Sequence, residues 1–173
     1  IEATGSVTWD DLTDEAVRGH VFGNGAFDIG RGIELSFRLE AVSDDGYLTT
    51  YGFEDPDLLE SNVRISRTVA DTHFDATLTE FLSLRADDDN DDLPRRVADG
   101  RFVHRFEPGA LGGIAELRVD ALGYVRPNDT PDTVDGTPRA TDALRLSAML
   151  DWRRTEVMQN GLLVTYEAAL AGD

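Results

Sequence analysis

The chain has 173 residues, no lysine and no cysteine, and its sixteen arginines face 34 Asp and Glu, for a formal net charge of −18. Without cysteine there is no disulfide, thiolate nucleophile or zinc–thiolate site, and without lysine there is no Schiff base or P-loop lysine. The excess of acid predicts no nucleic-acid partner, because nucleic acids are bound through clustered Lys and Arg.

The length fits a single domain, residues 1–173, that is large enough to bury a core. No apolar run approaches the roughly 18 to 20 residues that cross a bilayer as a helix, and the first four residues do not resemble a signal peptide. We therefore expect no membrane insertion.

Hydrophobic residues alternate with polar ones along most of the chain, which predicts strands. Apolar and charged residues alternate from Ile33 to Leu39 and predict a half-buried strand. Asp44-Asp45-Gly46 then predicts a tight turn, and Tyr47–Phe53 is the expected partner strand. Only Asp10–Arg18, near the N-terminus, has the pattern of a short helix.

Residues 62–85 predict either two strands or one bent strand, with an interruption near Ala70-Asp71. Further strands are expected over Arg101–Glu107 and Ala115–Ala121. The first of these places Phe102, His104 and Phe106 on one face.

The C-terminus predicts a long hairpin, with strands over Leu144–Trp152 and Leu162–Ala168 joined by a type I′ turn at Asn160-Gly161. Two acidic stretches, Ala86–Gly100 and Arg126–Asp142, predict solvated loops. The fold class is therefore all-β: a single antiparallel domain of about eight strands, built as a jelly roll, a sandwich or a barrel.

Enzyme signatures are missing from the sequence, so we predict no catalytic activity, no cofactor and no metal ion. Residues 23–28 lack the third glycine of a dinucleotide fingerprint and predict a β-turn or bulge. His73 and Asp75 share a strand face, as a general base and its orienting carboxylate would, but that face also carries threonines and reads as the wet side of a sheet.

His104 and the acidic residues 87–91 are two further candidates for a functional site. His104, between two phenylalanines, is read as a core histidine bonded to the backbone. Asp87, Asp89 and Asp91 have the spacing that opens a calcium loop, but Asp92 replaces its glycine and Ala98 its final glutamate. A hydrated acidic loop is the favoured interpretation.

Apolar side chains in outward registers, Phe81 and Met149, and Trp9 in an acidic neighbourhood favour contacts between protein surfaces. They could equally belong to central strands that are buried on both faces.

The acid excess and the use of arginine in place of lysine resemble the proteins of halophilic archaea, in which molar salt screens repulsion. With the strand pattern of Ile33–Leu39, Phe74–Leu84 and Leu144–Trp152, the chain resembles the small jelly-roll major capsid proteins of icosahedral viruses that infect such archaea. The resemblance implies a structural protein of a self-assembling virion shell, with copies of itself and a sister capsid protein as partners.

Two alternatives remain open. One is a calycin-like barrel that binds or cyclises an apolar small molecule in a cavity lined by Phe102, His104, Phe106, Trp152 and Tyr166. The other is an extracellular carbohydrate-binding or adhesion module that uses Trp9, Tyr124 or the loop of residues 87–92. Besides the virion, they imply an extracellular location or the cytoplasm of a halophile.

Overall fold

Nine long strands and one short helix make up most of the computed structural model, which describes residues 1–9, 17–53, 56–91, 93–126, 133–134, 137–138 and 142–173. The elements are, in chain order, β1 (Glu2–Trp9), β2 (Val17–Gly30), β3 (Ile33–Val42), α1 (Tyr47–Thr50), β4 (Leu58–Val69), β5 (Thr72–Ser83), β6 (Arg96–Phe106), β7 (Ile114–Val125), β8 (Thr133–Val134), β9 (Thr137–Pro138), β10 (Ala143–Val157) and β11 (Leu163–Gly172). The predicted helix over Asp10–Arg18 lies mostly outside the described residues, and its last two residues begin β2.

The nine long strands form one antiparallel sheet in the order β1-β2-β3-β4-β5-β6-β7-β10-β11, and β8 pairs with β9 separately. Each strand of the sheet therefore pairs with its neighbour along the chain, which is a meander and not the Greek-key order of a jelly roll. The all-β antiparallel prediction is confirmed.

Strand direction alternates across the sheet, so the connections leave from two ends. The end we call the long-loop end is where the connections β1–β2, β3–β4, β5–β6 and β7–β10 leave the strands. The other, the short-turn end, carries the connections β2–β3, β4–β5, β6–β7 and β10–β11. The predicted break at Ala70-Asp71 is the β4–β5 turn, where Ala70 has a φ of 45°.

The described residues build almost no second layer on the sheet. The accessible surface is 12284 Å², whereas a compact monomer of this mass exposes about 8,400 Å². Within the described part of the chain, only Tyr47, Leu48, Leu59 and Ala115 are buried hydrophobic residues. The length would allow a core, but the described residues form only a small one.

The one buried cluster comes from the β3–β4 connection. Tyr47 and Leu48 pack with Leu59 against partly buried residues of neighbouring strands, which are Phe22, Val42, Leu82 and Leu84. The predicted partner strand over Tyr47–Phe53 is wrong, because its first turn is α1 and β3 pairs instead with β4. Burial of two adjacent side chains, which a strand would point to opposite faces, favours the helical turn.

Two glycine-containing motifs differ from their predicted conformations. Residues 23–28 lie inside β2, and the register shift falls later, between Asp28 and Gly30. Gly25 leaves room for the ring of Phe37, which a Cβ would approach to 2.7 Å. At the C-terminal hairpin only Gly161 has a positive φ, of 80°, whereas a type I′ turn requires two such residues.

The close approach of β1 and β2 at Gly19 can be tested by substitution of this residue. A Cβ at Gly19 would lie 2.5 Å from the backbone oxygen of Ser6, whereas a Cβ at Gly23 has its nearest neighbour at 3.4 Å. Backbone cannot move aside as a flexible side chain can, so we expect Gly19→Ala to lower the free energy of unfolding by about 1–3 kcal/mol. Gly23→Ala, the matched control, should change it little. Equal effects in urea unfolding would show that the strands tolerate separation here.

Candidate functional site

The register of the sheet gives it one apolar face and one charged face. Directly paired residues point to the same side, so the side of Phe37 also carries Val63, Leu78, Ala98 and Leu144. This apolar face consists of alternate residues of all nine strands: Ala3, Val7, Trp9, Val17, Val21, Phe27, Ile33, Leu35, Phe37, Leu39, Val63, Ile65, Val69, Phe74, Ala76, Leu78, Ala98, Phe102, Phe106, Ala115, Leu117, Val119, Ala121, Leu144, Leu146, Ala148, Leu150, Trp152, Val164, Tyr166, Ala168 and Leu170.

Much of the apolar face is accessible to solvent. Leu78, at the middle of the sheet, is 54% exposed, and Leu144 is 83% exposed. A patch of this size far exceeds the few hundred Å² that soluble monomers expose, so it indicates an interaction surface.

Polar residues on the apolar side lie near its two ends. On β5 the apolar run Phe74, Ala76 and Leu78 is bounded by Thr72 and Glu80. Glu80 accepts a hydrogen bond from Arg95 at 3.0 Å and lies 3.7 Å from Arg96. At the short-turn end the same side carries Arg67, His104 and Arg154. The apolar face is therefore a belt with polar borders.

The opposite, charged face is crossed by ion pairs between neighbouring strands. Arg101 of β6 donates to Asp120 of β7 at 2.6 Å. Further pairs of described residues on this face include Arg64–Asp75 at 3.6 Å, Arg105–Glu116 at 3.1 Å, Arg118–Glu116 at 3.2 Å, Arg145–Asp173 at 2.7 Å and Arg153–Glu167 at 3.4 Å. Most are solvent-exposed and each contributes little to stability, but together they make this face strongly hydrophilic.

The β3–β4 connection is anchored on the charged side of β1 and β2. Ser6 Oγ lies 2.8 Å from Tyr47 Oη and 3.1 Å from His20 Nδ1. Arg18, 7% exposed, donates from Nε to Asp44 Oδ2 at 2.8 Å. The hydrogen bond from Arg18 lowers the pKa of Asp44, and the guanidinium also lies over the rings of Tyr47 and Tyr51.

His73 and Asp75 share a face as predicted, and it is the charged one. His73 Nε2 lies 3.1 Å from Asp75 Oδ1, and Nδ1 lies 2.9 Å from Thr68 Oγ1. Asp75 is also paired with Arg64, so the group belongs to the ion-pair pattern of this face. The absence of catalytic activity stays a prediction.

His104 lies on the apolar side, between the rings of Phe102 and Phe106 at centroid distances of 6.3 and 5.8 Å. Its Nδ1 is 2.9 Å from Thr72 Oγ1, so its partner is a side chain and not the predicted backbone group. Trp152 and Tyr166, the other residues of the proposed barrel cavity, share this side. The five residues therefore line one face of an open sheet rather than an enclosed cavity.

The remaining candidates do not converge. Asp88 and Asn90 bond to Ser83, Asp92 lies outside the described residues, and the described part of the chain holds no cluster of three metal-ligating residues. Trp9 lies on β1 at the apolar side, and Tyr124 on β7 at the charged side. Phe81 and Met149 do lie in the outward registers that were predicted for them, on the charged face.

Negative charge is concentrated at the long-loop end. The described residues of its four connections contain eight Asp and three arginines, for a net charge of −5. Sequence reasoning missed the two-faced sheet because each strand was read alone. The alternation of apolar and polar residues in each strand does show that the strand has an apolar side. Only the pairing register shows that the apolar sides of the nine strands join into one surface.

Comparison with protein-family models gives a match over residues 16–173, more than nine-tenths of the chain, to the family described as LptD: LPS transport system D. No curated protein and no solved structure matches the chain. Among the described residues, none of the helices has the length and hydrophobicity to cross a membrane.

The family match corrects several predictions. The resemblance to a capsid protein, the virion location and the partnership with further capsid subunits are wrong, since the matched family is described by lipopolysaccharide transport. The halophilic origin is wrong for the same reason, and the acids that suggested it are mostly grouped in four connections and on one face. The calycin-like barrel and the adhesion module are not supported either.

The ion pair between Arg18 and Asp44 predicts a loss of stability in acid. Because the folded-state pKa of Asp44 is lowered, the contribution of the pair is fully present above the unfolded-state pKa and is lost as pH falls through the folded-state pKa. We expect Asp44→Asn to lower the free energy of unfolding by about 2 kcal/mol at neutral pH, and the deficit to vanish in acid.

Asp57 supplies the control, because Arg85 also lowers its pKa but the pair is fully exposed. Asp57→Asn should have a smaller effect at every pH. Denaturant unfolding of both variants from neutral pH down to pH values below the usual carboxyl range measures this. A deficit for Asp44→Asn that is constant with pH would contradict the assignment.

Proposed function

Because the chain belongs to the LptD family, LPS transport system D, we propose that it works in lipopolysaccharide transport as a membrane sheet whose apolar face contacts lipid hydrocarbon. The observation that carries the proposal is the division of nine strands into one continuous apolar face and one charged face. In water the apolar face would remain exposed at a large free-energy cost, whereas in lipid its exposure has no such cost.

The height of the apolar belt supports a bilayer as its environment. On β5 the belt extends from Thr72 to Glu80, and on β6 from His104 to Arg96. At about 3.4 Å per residue these eight steps correspond to about 27 Å along each strand. Strands that cross a bilayer tilt by roughly 35–45°, so this length gives an apolar height of about 19–22 Å, slightly below the bands of about 25 Å that strand-built membrane proteins present to lipid.

The two outer strands place a condition on this environment. Among the described residues, β1 and β11 each pair on one side only. An unpaired strand edge in hydrocarbon leaves backbone groups without hydrogen bonds, each at a cost of several kcal/mol. We therefore infer that both edges pair with further strands in the membrane.

The charged face and the long loops fit the water-exposed parts of such a sheet. The cross-strand ion pairs make the charged face compatible with water or with a polar saccharide, and not with acyl chains. The proposal assigns no catalytic step to the chain. The earlier expectation of no membrane insertion considered continuous apolar runs only, and strands with alternating residues do not contain them.

A leucine-to-arginine substitution at one position on each face tests which face contacts lipid. Leu78 of the apolar face is 54% exposed, and Leu122 of the charged face is 48% exposed. We expect Leu78→Arg to lower co-flotation with phosphatidylcholine vesicles by about thirtyfold or more, since an arginine near the bilayer midplane costs about 2–4 kcal/mol. Leu122→Arg should leave co-flotation nearly unchanged. Equal losses from both substitutions would contradict a lipid-facing apolar side.

Transport itself is tested in cells that depend on this protein. Replacement of the resident copy by the Leu78→Arg variant should lower the amount of lipopolysaccharide labelled at the cell surface, with the Leu122→Arg variant as control. Unchanged surface lipopolysaccharide, in cells where the variant fails to enter membranes, would overturn the proposed function.

A further inference from the structure

We propose that Arg31 and Arg67 together bind the phosphate group of an anionic phospholipid at the short-turn end of the apolar face. The proposal rests on the function proposed above, because it requires the apolar face to lie in a bilayer. The two residues come from neighbouring elements, the β2–β3 turn and β4.

Neither guanidinium forms an ion pair with a carboxylate of the described residues. Eleven other arginines do, as expected in a chain with about twice as many acids as arginines. Arg67 bonds instead to the backbone, since its Nε donates to the carbonyl oxygen of Arg31 at 3.2 Å. That bond uses one of the five N–H donors of Arg67 and leaves the fork that suits a phosphate.

The backbone of the turn brings the two residues together. Arg31 has a φ of 57°, between Gly30 and Gly32 with φ values of 88° and 73°. A non-glycine residue in this region is uncommon and is enriched at ligand contacts. On the neighbouring strands, Arg67 is paired with Ile33 and Phe74, so it lies where the apolar belt reaches its border.

Because Arg31 and Arg67 lie at the border of the apolar belt, they favour the phosphate of a lipid over a soluble phosphate. Arginine side chains at the ends of apolar surfaces extend their stems along hydrocarbon and place their charge at the headgroup level. Val69, two residues after Arg67 on the same side of β4, is apolar and 41% exposed, so a bound anion would have acyl chains next to it. A soluble anion would gain nothing from this side chain.

The distribution of charge indicates which end of the sheet lies at the anionic leaflet of the bilayer. The described residues in the connections of the long-loop end carry a net −5 and would repel an anionic leaflet. The β2–β3 and β4–β5 turns hold one arginine and one aspartate, so the short-turn end can approach that leaflet. We therefore place the anionic leaflet at the short-turn end.

The test compares co-flotation of the full chain with vesicles of phosphatidylcholine and with vesicles in which one lipid in three is phosphatidylglycerol. If the proposed phosphate site did not exist, a protein of charge −18 should bind less to the vesicles that contain phosphatidylglycerol, because both carry negative charge. We expect a preference for phosphatidylglycerol that falls about 25-fold in the Arg31→Gln, Arg67→Gln double variant, at about fivefold per arginine. Arg38→Gln is the control, because Arg38 is also without an ion pair in the described part but lies on the charged face.

The outcomes separate the two proposals. Flotation with both vesicles to the same extent, or an equal loss in the Arg38→Gln variant, would overturn the phosphate site and leave the membrane sheet standing. Failure to float with either would overturn both. Inorganic phosphate at constant ionic strength should leave the preference in place, and its complete loss would assign the site to a free anion instead of a lipid.

Discussion

Cross-strand register is the constraint on which the rest of the structure depends. Because directly paired residues point to the same side, nine alternating strands in an uninterrupted meander collect their hydrophobic residues on one face and their charges on the other. A slip of one residue at a single strand would place Arg101 or Asp120 among leucines. The ion pairs between adjacent strands therefore act with the apolar residues to hold one register.

The division of the sheet into an apolar and a charged face also explains why the described residues form almost no second layer. A helix or sheet packed on the apolar face would bury it. Among the described residues the β3–β4 connection folds back on the sheet, where it bonds through Tyr47 and Asp44 to the charged side and packs on Leu59 at the long-loop end of the apolar side. The hydrophobic surface must then be matched by the surroundings of the molecule instead of by its own chain. This surface, together with the family match, is the basis on which we propose lipid as those surroundings.

Much of the fold could be predicted from local pattern. Strands β3, β4, β5 and β7 and the C-terminal hairpin β10–β11 follow from alternation and from turn residues such as Ala70-Asp71. The predicted loop over Ala86–Gly100 is wrong in its last five residues, which are paired with β5 as the first part of β6. The return strand at Tyr47 failed because local propensity does not register the burial of Tyr47 and Leu48. The sites failed for another reason: alternation identifies an apolar face but not whether protein or lipid covers it, and Phe102, His104 and Phe106 were therefore assigned to a cavity.

The most direct test of a lipid-facing sheet is the accessibility of each face in vesicles. The chain contains no cysteine, so a spin label can be placed at Leu78→Cys and, separately, at Leu122→Cys without removing native thiols. We predict that collisions with oxygen, which concentrates in hydrocarbon, dominate at position 78, and that collisions with a water-soluble nickel chelate dominate at position 122. Equal access of the chelate to both positions would contradict the account.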